Sequence, residues 1–191
     1  MTVNISNLFH GKYVRLSAIK PEDAKVMEKW SEDAEYLRNV DTDIALPKTK
    51  EQFEAEGRQI SNGAYFPLRT ILDNELIGFV AIHKIEWNNR SGLLAIGIGE
   101  VKHRSKGYGT DALQLVLRFA FHELNLDRVG LDVIEYNTRA IRAYEKVGFL
   151  HEGRIRSAVY RDGKRYDRII MGILRSEWEA KELSKMNKHL N

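Results

Sequence analysis

The sequence predicts one mixed α/β domain whose sheet is mostly antiparallel and contains a single parallel strand pair. Three observations lead there. Apolar runs before residue 101 are joined by tight turns such as Asp73-Asn74 and Asn88-Asn89-Arg90, and tight turns join antiparallel neighbours. An apolar run, Leu93 to Val101, then enters the turn Arg104-Ser105-Lys106-Gly107-Tyr108-Gly109-Thr110 and leaves as an amphipathic run, Asp111 to Leu124, ahead of another strand. That is one crossover, hence one parallel pair. Finally, 191 residues with 43% apolar and 30% charged side chains suit one globular core, with no internal repeat, low-complexity tract or linker.

Taken in order, Lys12 to Ile19 alternates as a first strand, with Val14, Leu16 and Ala18 on one face. Pro21-Glu22-Asp23 opens a helix that carries Ala24, Met27 and Trp30 at helical spacing. Asp33 to Lys48 has no clear period and reads as a loop with at most a short helical turn. Thr49-Lys50-Glu51-Gln52 forms a capping box for a second helix ending near Asn62-Gly63. Strands follow at Tyr65 to Leu72, Glu75 to Trp87 and Ser91 to Val101. After the glycine turn, the helix over Asp111 to Leu124 buries Leu115, Val116 and Phe119, and Arg128 to Ile134 alternates as a strand. Asn137 caps a helix that Gly148 ends. Phe149 to Tyr160 and Arg165 to Leu174 form a hairpin about Asp162-Gly163, and a charged helix with a Trp178, Leu183 and Met186 stripe begins at Ser176. That stripe docks the helix or meets a second copy. The domain is expected over residues 12–178, with 179–191 as a helical tail.

Composition narrows the function. With Lys plus Arg at 30 and Asp plus Glu at 27, the net charge of +3 favours anionic ligands only weakly and gives bulk nucleic-acid binding no support. Absence of cysteine excludes disulfides and thiol catalysis and fits a reducing compartment, so the cytoplasm is expected. No signal peptide is evident, and no apolar run approaches the ~20 residues that span a bilayer. No His, Asp and Glu grouping has metal-ligand spacing, so no metal is expected.

The turn carries the chemistry. Gly107 and Gly109 let the backbone approach a bulky anion, the helix that follows supplies its positive end, and Arg104 and Lys106 add charge upstream. A pyrophosphate site fits, and a plain strand-to-helix turn is the alternative. Gly107-x-Gly109-x-x-Ala112 also meets the loose dinucleotide fingerprint, but antiparallel strands precede it and one crossover follows it. A P-loop fails because the lysine precedes the glycine.

Downstream, Asn137-Thr138-Arg139-Ala140-Ile141-Arg142-Ala143-Tyr144-Glu145-Lys146-Val147-Gly148-Phe149 follows the second parallel strand. Together with Arg104-x-x-Gly107-x-Gly109, and with Phe149-x-x-Glu152-Gly153 and Met171-Gly172-Ile173-Leu174, it resembles the Gcn5-related N-acetyltransferase (GNAT) superfamily, in the branch of ribosomal-protein N-terminal and spermidine acetyltransferases. The resemblance implies a sheet whose two parallel strands splay around acetyl-CoA. It also implies a primary-amine acceptor, either a protein N-terminus or a small amine such as a polyamine. The backbone of Gly97, Ile98 and Gly99 would pair with the pantetheine and receive the thioester oxygen. Arg104, Ser105, Lys106, Gly107, Tyr108, Gly109 and Thr110 would wrap the pyrophosphate. Asn137 would contact the pantetheine arm, Lys146 the 3′-phosphate, and Tyr144 the departing sulfur.

Direct attack of an amine needs a base. Relatives place a glutamate in the strand that here reads Leu93-Leu94-Ala95-Ile96-Gly97-Ile98-Gly99, so Glu100, Glu86, His83 or a water chain must serve instead. Glu100 is the first choice. Glu32, Asp33 and Glu35 partly mirror the acids that hold polyamines in spermidine acetyltransferases. The basic hairpin residues Arg154, Arg156, Arg161, Lys164, Arg165 and Arg168 read as solvent-facing, with a ribosome- or RNA-docking module as one alternative function and a non-catalytic CoA sensor as another. A homodimer is compatible with the chain.

Overall fold

A computed structural model of the chain describes residues 8–57 and 62–188. Seven strands form one sheet in the order β1-β2-β3-β4-β5-β7-β6. They are β1 (Val14–Leu16), β2 (Gly63–Thr70), β3 (Leu76–Glu86), β4 (Ser91–Ile98), β5 (Arg128–Ile134), β6 (Leu150–Arg161) and β7 (Lys164–Leu174). All neighbours are antiparallel except β4 and β5, which the helix α4 (Tyr108–His122) connects. The single crossover expected from the turn pattern is therefore the parallel pair.

One face of the sheet carries α4, whose Leu113, Val116, Leu117 and Ala120 are buried in a core shared with Val80, Ile82, Val129 and Met171. Asp111, in the first turn of α4, is buried and accepts the backbone N–H groups of Lys12 (3.0 Å), Tyr13 (2.7 Å) and Val14 (2.9 Å). One carboxylate thus staples the start of the sheet to the helix that opens the turn. A second small core of Trp30, Tyr36 and Leu76 lies where α1 (Asp23–Ser31) and α2 (Ala34–Val40) meet the sheet. There Arg69 and Asp23 form a buried ion pair.

Several elements depart from the sequence reading. The first strand is shorter than expected and Ala18 is exposed. Residues 34–40 form a helix, because Asp33 accepts the N–H of Glu35 and Tyr36 as an N-cap while Tyr36 packs against Trp30. The helix α3 (Lys50–Gly57) begins at the capping box, and its expected end lies partly outside the described residues. The final helix α6 (Arg175–Lys188) runs unbroken through the boundary drawn at 178/179, and Trp178 packs on Phe121 and His122. That indole docks the helix, while Leu183 on the same helix is exposed.

On the hairpin β6–β7, Arg154, Arg156, Lys164 and Arg165 face solvent as expected, whereas Arg161 and Arg168 are half-buried against neighbouring elements. Arg38 of α2 holds Asp162 at the hairpin tip with two hydrogen bonds of 2.7 and 3.0 Å. Arg161 donates to the carbonyls of Asp41 and Asp43, and Arg168 to the Thr42 hydroxyl and to Asp132. Arg154 pairs with Asp167, and Arg165 lies over the Tyr160 ring. Arg38, Arg161 and Arg168 strap the hairpin to α2 and the loop after it. No helix among the described residues is long and apolar enough to cross a membrane.

Candidate active site

β4 and β5 pair only at Ser91↔Arg128, Gly92↔Val129 and Leu93↔Gly130. Beyond that point β4 stays with β3 through Gly78↔Ile98, whereas β5 stays with β7 through Ile134↔Arg168. The strands splay, and one edge of β4 is left unpaired from residue 94 onward. The register shows which groups that edge offers. Gly99 donates its N–H to the Ile77 carbonyl at 2.9 Å, so the odd residues Gly97 and Gly99 point their backbone groups toward β3. Alternation then turns the N–H groups of Ile96 and Ile98 into the gap.

This corrects the expectation for Gly97 and Gly99. Their role is close approach. A Cβ on Gly99 would run into the Trp30 indole, and one on Gly97 would crowd Phe79, Tyr36 and Val40. Two glycines let α1 and α2 press against β4, and of the stretch 97–99 it is Ile98 that faces the wedge.

The turn after β4 delivers the chain into α4. A short 3-10 turn over Val101–His103 precedes it, with the buried His103 ring held by Glu75 at 3.2 Å. Ser105 and Gly107 then adopt φ of 60° and 85°, and Gly107 occupies the N-cap of α4 in a left-handed conformation. A glycine N-cap has no side chain to offer, and the first intrahelical bond runs from Asp111 N–H to the Gly107 carbonyl. The N–H groups of Tyr108, Gly109 and Thr110 are therefore open at the positive end of a 15-residue helix. A Cβ on Gly109 would meet nothing within 4 Å, so the approach is clear. Such an end binds phosphate.

These features line one cleft of about 390 Å³, with Gly97, Ile98, Arg104, Ser105, Gly107, Gly109 and Thr110 on one side and Asn137, Tyr144 and Lys146 on the other. Lys106 is exposed, and Lys106, Tyr108 and Gly99 do not line it. Asn137 caps α5 (Thr138–Val147) through Ala140 N–H at 3.2 Å and donates to the Asn39 carbonyl, bracing α2. Tyr144 is buried beside Phe149, its hydroxyl has no hydrogen-bond partner among the described residues, and burial followed by the Asp132 charge pushes its pKa up.

Two expected site residues are placed differently. The Arg104 side chain is 7% exposed and is held by Glu35 (3.0 Å), the Gly99 carbonyl (3.2 Å) and Asp33 (3.7 Å). It latches α2 to the turn, so its charge is compensated before any phosphate arrives. Glu100 lies outside the cleft, paired with Lys102 at 3.3 Å and Lys29 at 3.6 Å. Glu86 sits at the far end of β3, accepting from Asn89 and Ser91. His83 is half-buried opposite Leu93, the last residue of β4 before the splay. Burial lowers its pKa against the pull of Asp132 and Asp41, so it is neutral near pH 7.

Tyr36 escaped the sequence reading, because residues 33–48 lack an obvious period. An Asp33 N-cap followed by Tyr36, Leu37 and Val40 at helical spacing was the available signal. Tyr36 is buried, and it and Val40 line both the cleft and a second groove of about 1080 Å³ between α1, the loop after α2 and β2–β3. The two cavities share that wall. Among the described residues no cluster of His, Cys, Asp or Glu could hold a metal.

Comparison with known proteins agrees with this geometry. Residues 14–150 match the Acetyltransferase (GNAT) domain family. The chain is 31% identical over 170 residues to the SPbeta prophage-derived uncharacterized N-acetyltransferase YokL of Bacillus subtilis, covering 88% of this chain and 94% of that protein. It is 27% identical over 170 residues to YdaF of the same organism, provisionally named a ribosomal N-acetyltransferase, covering 88% of each. The crystal structure of spermidine N-acetyltransferase from Vibrio cholerae in complex with CoA and spermine superimposes with a TM-score of 0.78 at 23% identity, over 86% of this chain and 97% of that one. The splayed pair, the open helix end and the domain match have one reading: the chain belongs to the Gcn5-related N-acetyltransferase family and is an acetyl-CoA-dependent N-acetyltransferase.

Proposed function

We propose that acetyl-CoA lies in the β4–β5 wedge with its pyrophosphate on the first turn of α4, and that an amine from the larger groove attacks it there. The observation that carries this reading is the unpaired edge of β4 leading directly into the open N–H groups of Tyr108, Gly109 and Thr110. The fit is one of donor chemistry: amides of an extended arm match the Ile96 and Ile98 backbone, and phosphates match a helix end. When bound, acetyl-CoA supplies the activated acyl group.

This chain's residues then do the following. Ile98 N–H donates to the carbonyl oxygen as charge gathers there. The amine nitrogen forms a bond to the carbonyl carbon while the carbon–sulfur bond breaks. Tyr144, kept protonated by burial, donates to the departing sulfur. His83, kept neutral by burial and standing further along β3, takes the proton leaving the nitrogen through water. Glu100 and Glu86 are held in surface contacts away from the cleft, and His83, which lines neither cavity, is reached through water. Arg104 acts by holding α2 against the turn. Lys146 and Asn137 bound the cleft where the rest of the carrier passes.

Rates of free-thiol release with a saturating amine test the assignment. Glu100→Gln is expected to retain activity, whereas His83→Ala is expected to lose about 100-fold in kcat. The reverse pattern would return the base to the end of β4.

A second copy belongs to the same proposal. β6 is an edge strand whose residues 150–158 are all exposed, Leu150 and Ile155 among them, and such an edge pairs readily with its own copy. Light scattering at the dimer mass is expected, and a monomer at micromolar concentration would reject it.

A further inference from the structure

The larger groove indicates what carries the amine. Its floor is aromatic: Tyr65 and Phe79 stack with ring centroids 5.3 Å apart and planes 13° from parallel. Met27 of α1 and Phe53 of α3 line its sides. At the mouth, Ile44 and Leu46 line the groove while 82% and 62% exposed, which leaves apolar surface uncovered where an acceptor must enter. Arg38, Arg161 and Arg168 fix the loop that carries them against the hairpin.

Four carboxylates line the groove among the described residues, Asp23, Asp41, Asp43 and Glu54, and two of them face cations. Asp23 is in the buried pair with Arg69, and Glu54 faces Lys50 at 3.4 Å. The Asp41 carboxylate accepts the N–H groups of Thr42 and Asp43. The acids that the sequence offers to a polyamine lie elsewhere: Asp33 caps α2, and both Asp33 and Glu35 hold Arg104. Lys20 and Lys48 line the same groove. An amine on an apolar body would bury that body on the stacked rings and on the exposed Ile44 and Leu46 side chains.

We infer that the acceptor is a primary amine attached to a bulky apolar group, whether a free arylalkylamine or a peptide N-terminus that begins with a large apolar residue. This rests on the transferase reading above, and it assigns the acceptor groove by its chemistry. The groove is much larger than one ring, which leaves room for the residues after the first in a peptide.

The test measures kcat/KM by free-thiol release for 2-phenylethylamine, for hexapeptides starting with Phe, Leu or Ser, and for spermidine, with acetyl-CoA binding followed separately by calorimetry. The apolar acceptors are expected to exceed spermidine by about 10- to 100-fold, the gain from burying one large apolar side chain. The free amine and the peptides separate the two sources. Ile44→Asp combined with Leu46→Asp alters only exposed side chains. It is expected to lower kcat/KM for the preferred apolar acceptor about tenfold with acetyl-CoA affinity unchanged. Spermidine equal to or better than every apolar acceptor would overturn the inference and leave the transferase standing. Acetyl-CoA binding with no amine acetylated would overturn both.

Discussion

Tyr144 and His83 owe their proposed roles to burial acting in opposite senses on their charges. A buried phenol resists ionisation, so Tyr144 stays a donor, and a buried imidazole resists protonation, so His83 stays an acceptor. Tyr144→Phe is expected to lower kcat by about 100-fold with little change in acetyl-CoA affinity, measured by rapid-mixing turnover beside calorimetry. The pH dependence follows from the same two directions. His83 must be neutral, and its pKa is lowered, so kcat should hold as pH falls through the ordinary histidine value of about 6.5 and decline only below it. Tyr144 must be protonated, and its pKa is raised, so no loss should come from it up to the ordinary tyrosine value of about 10. A kcat profile with its acid limb above 7 would contradict the histidine. The sequence singles out Tyr144 because it stands in a motif. It puts Glu100 first among the bases by adjacency, which says nothing about Lys29 and Lys102, with which its carboxylate pairs outside the cleft.

The decisive element is the junction of β4 with α4. Gly107 and Gly109 announce it in sequence because a left-handed N-cap and an uncovered helix end both demand residues without side chains in the way. Gly97 and Gly99 looked alike in sequence, yet their cause is the packing of Trp30 and Tyr36, which only the folded chain reveals. The helix α2 stayed hidden for a related reason: its seven residues are stabilised by the Asp33 cap, by Trp30 and by Arg104 from across the turn more than by any period of their own. The junction makes an opposed pair of predictions for Gly109→Asp. An acid in the first turn complements the helix dipole, by about 0.3–1 kcal/mol, and replaces a poor helix former, so thermal stability should hold or rise. The same charge faces the pyrophosphate, so acetyl-CoA affinity should fall at least tenfold by calorimetry. A parallel loss of both would mean that residue 109 serves only the fold.

Across the whole molecule, the hairpin pairs and the parallel pair were legible because tight turns and one crossover leave few topologies, whereas the place of β7 beside β5 was not. The long-range ties were not. Asp111 reads in sequence as a simple first-turn acid, whereas it binds three backbone N–H groups nearly a hundred residues away. Asp111→Ala would orphan those donors and is expected to cost about 3 kcal/mol or more in chemical denaturation. Arg161 and Arg168 of the hairpin were misjudged in the same way, since both reach a loop more than a hundred residues earlier. These ties join α4 to the first strand and the hairpin to the loop after α2, around the wedge in which acetyl-CoA is proposed to lie. A crystal structure with acetyl-CoA tests that most directly. The extended arm should hydrogen-bond the backbone of Ile96 and Ile98, with the pyrophosphate on the N–H groups of Tyr108, Gly109 and Thr110 and the sulfur beside Tyr144. Finding the carrier bound away from the β4–β5 gap would contradict the account.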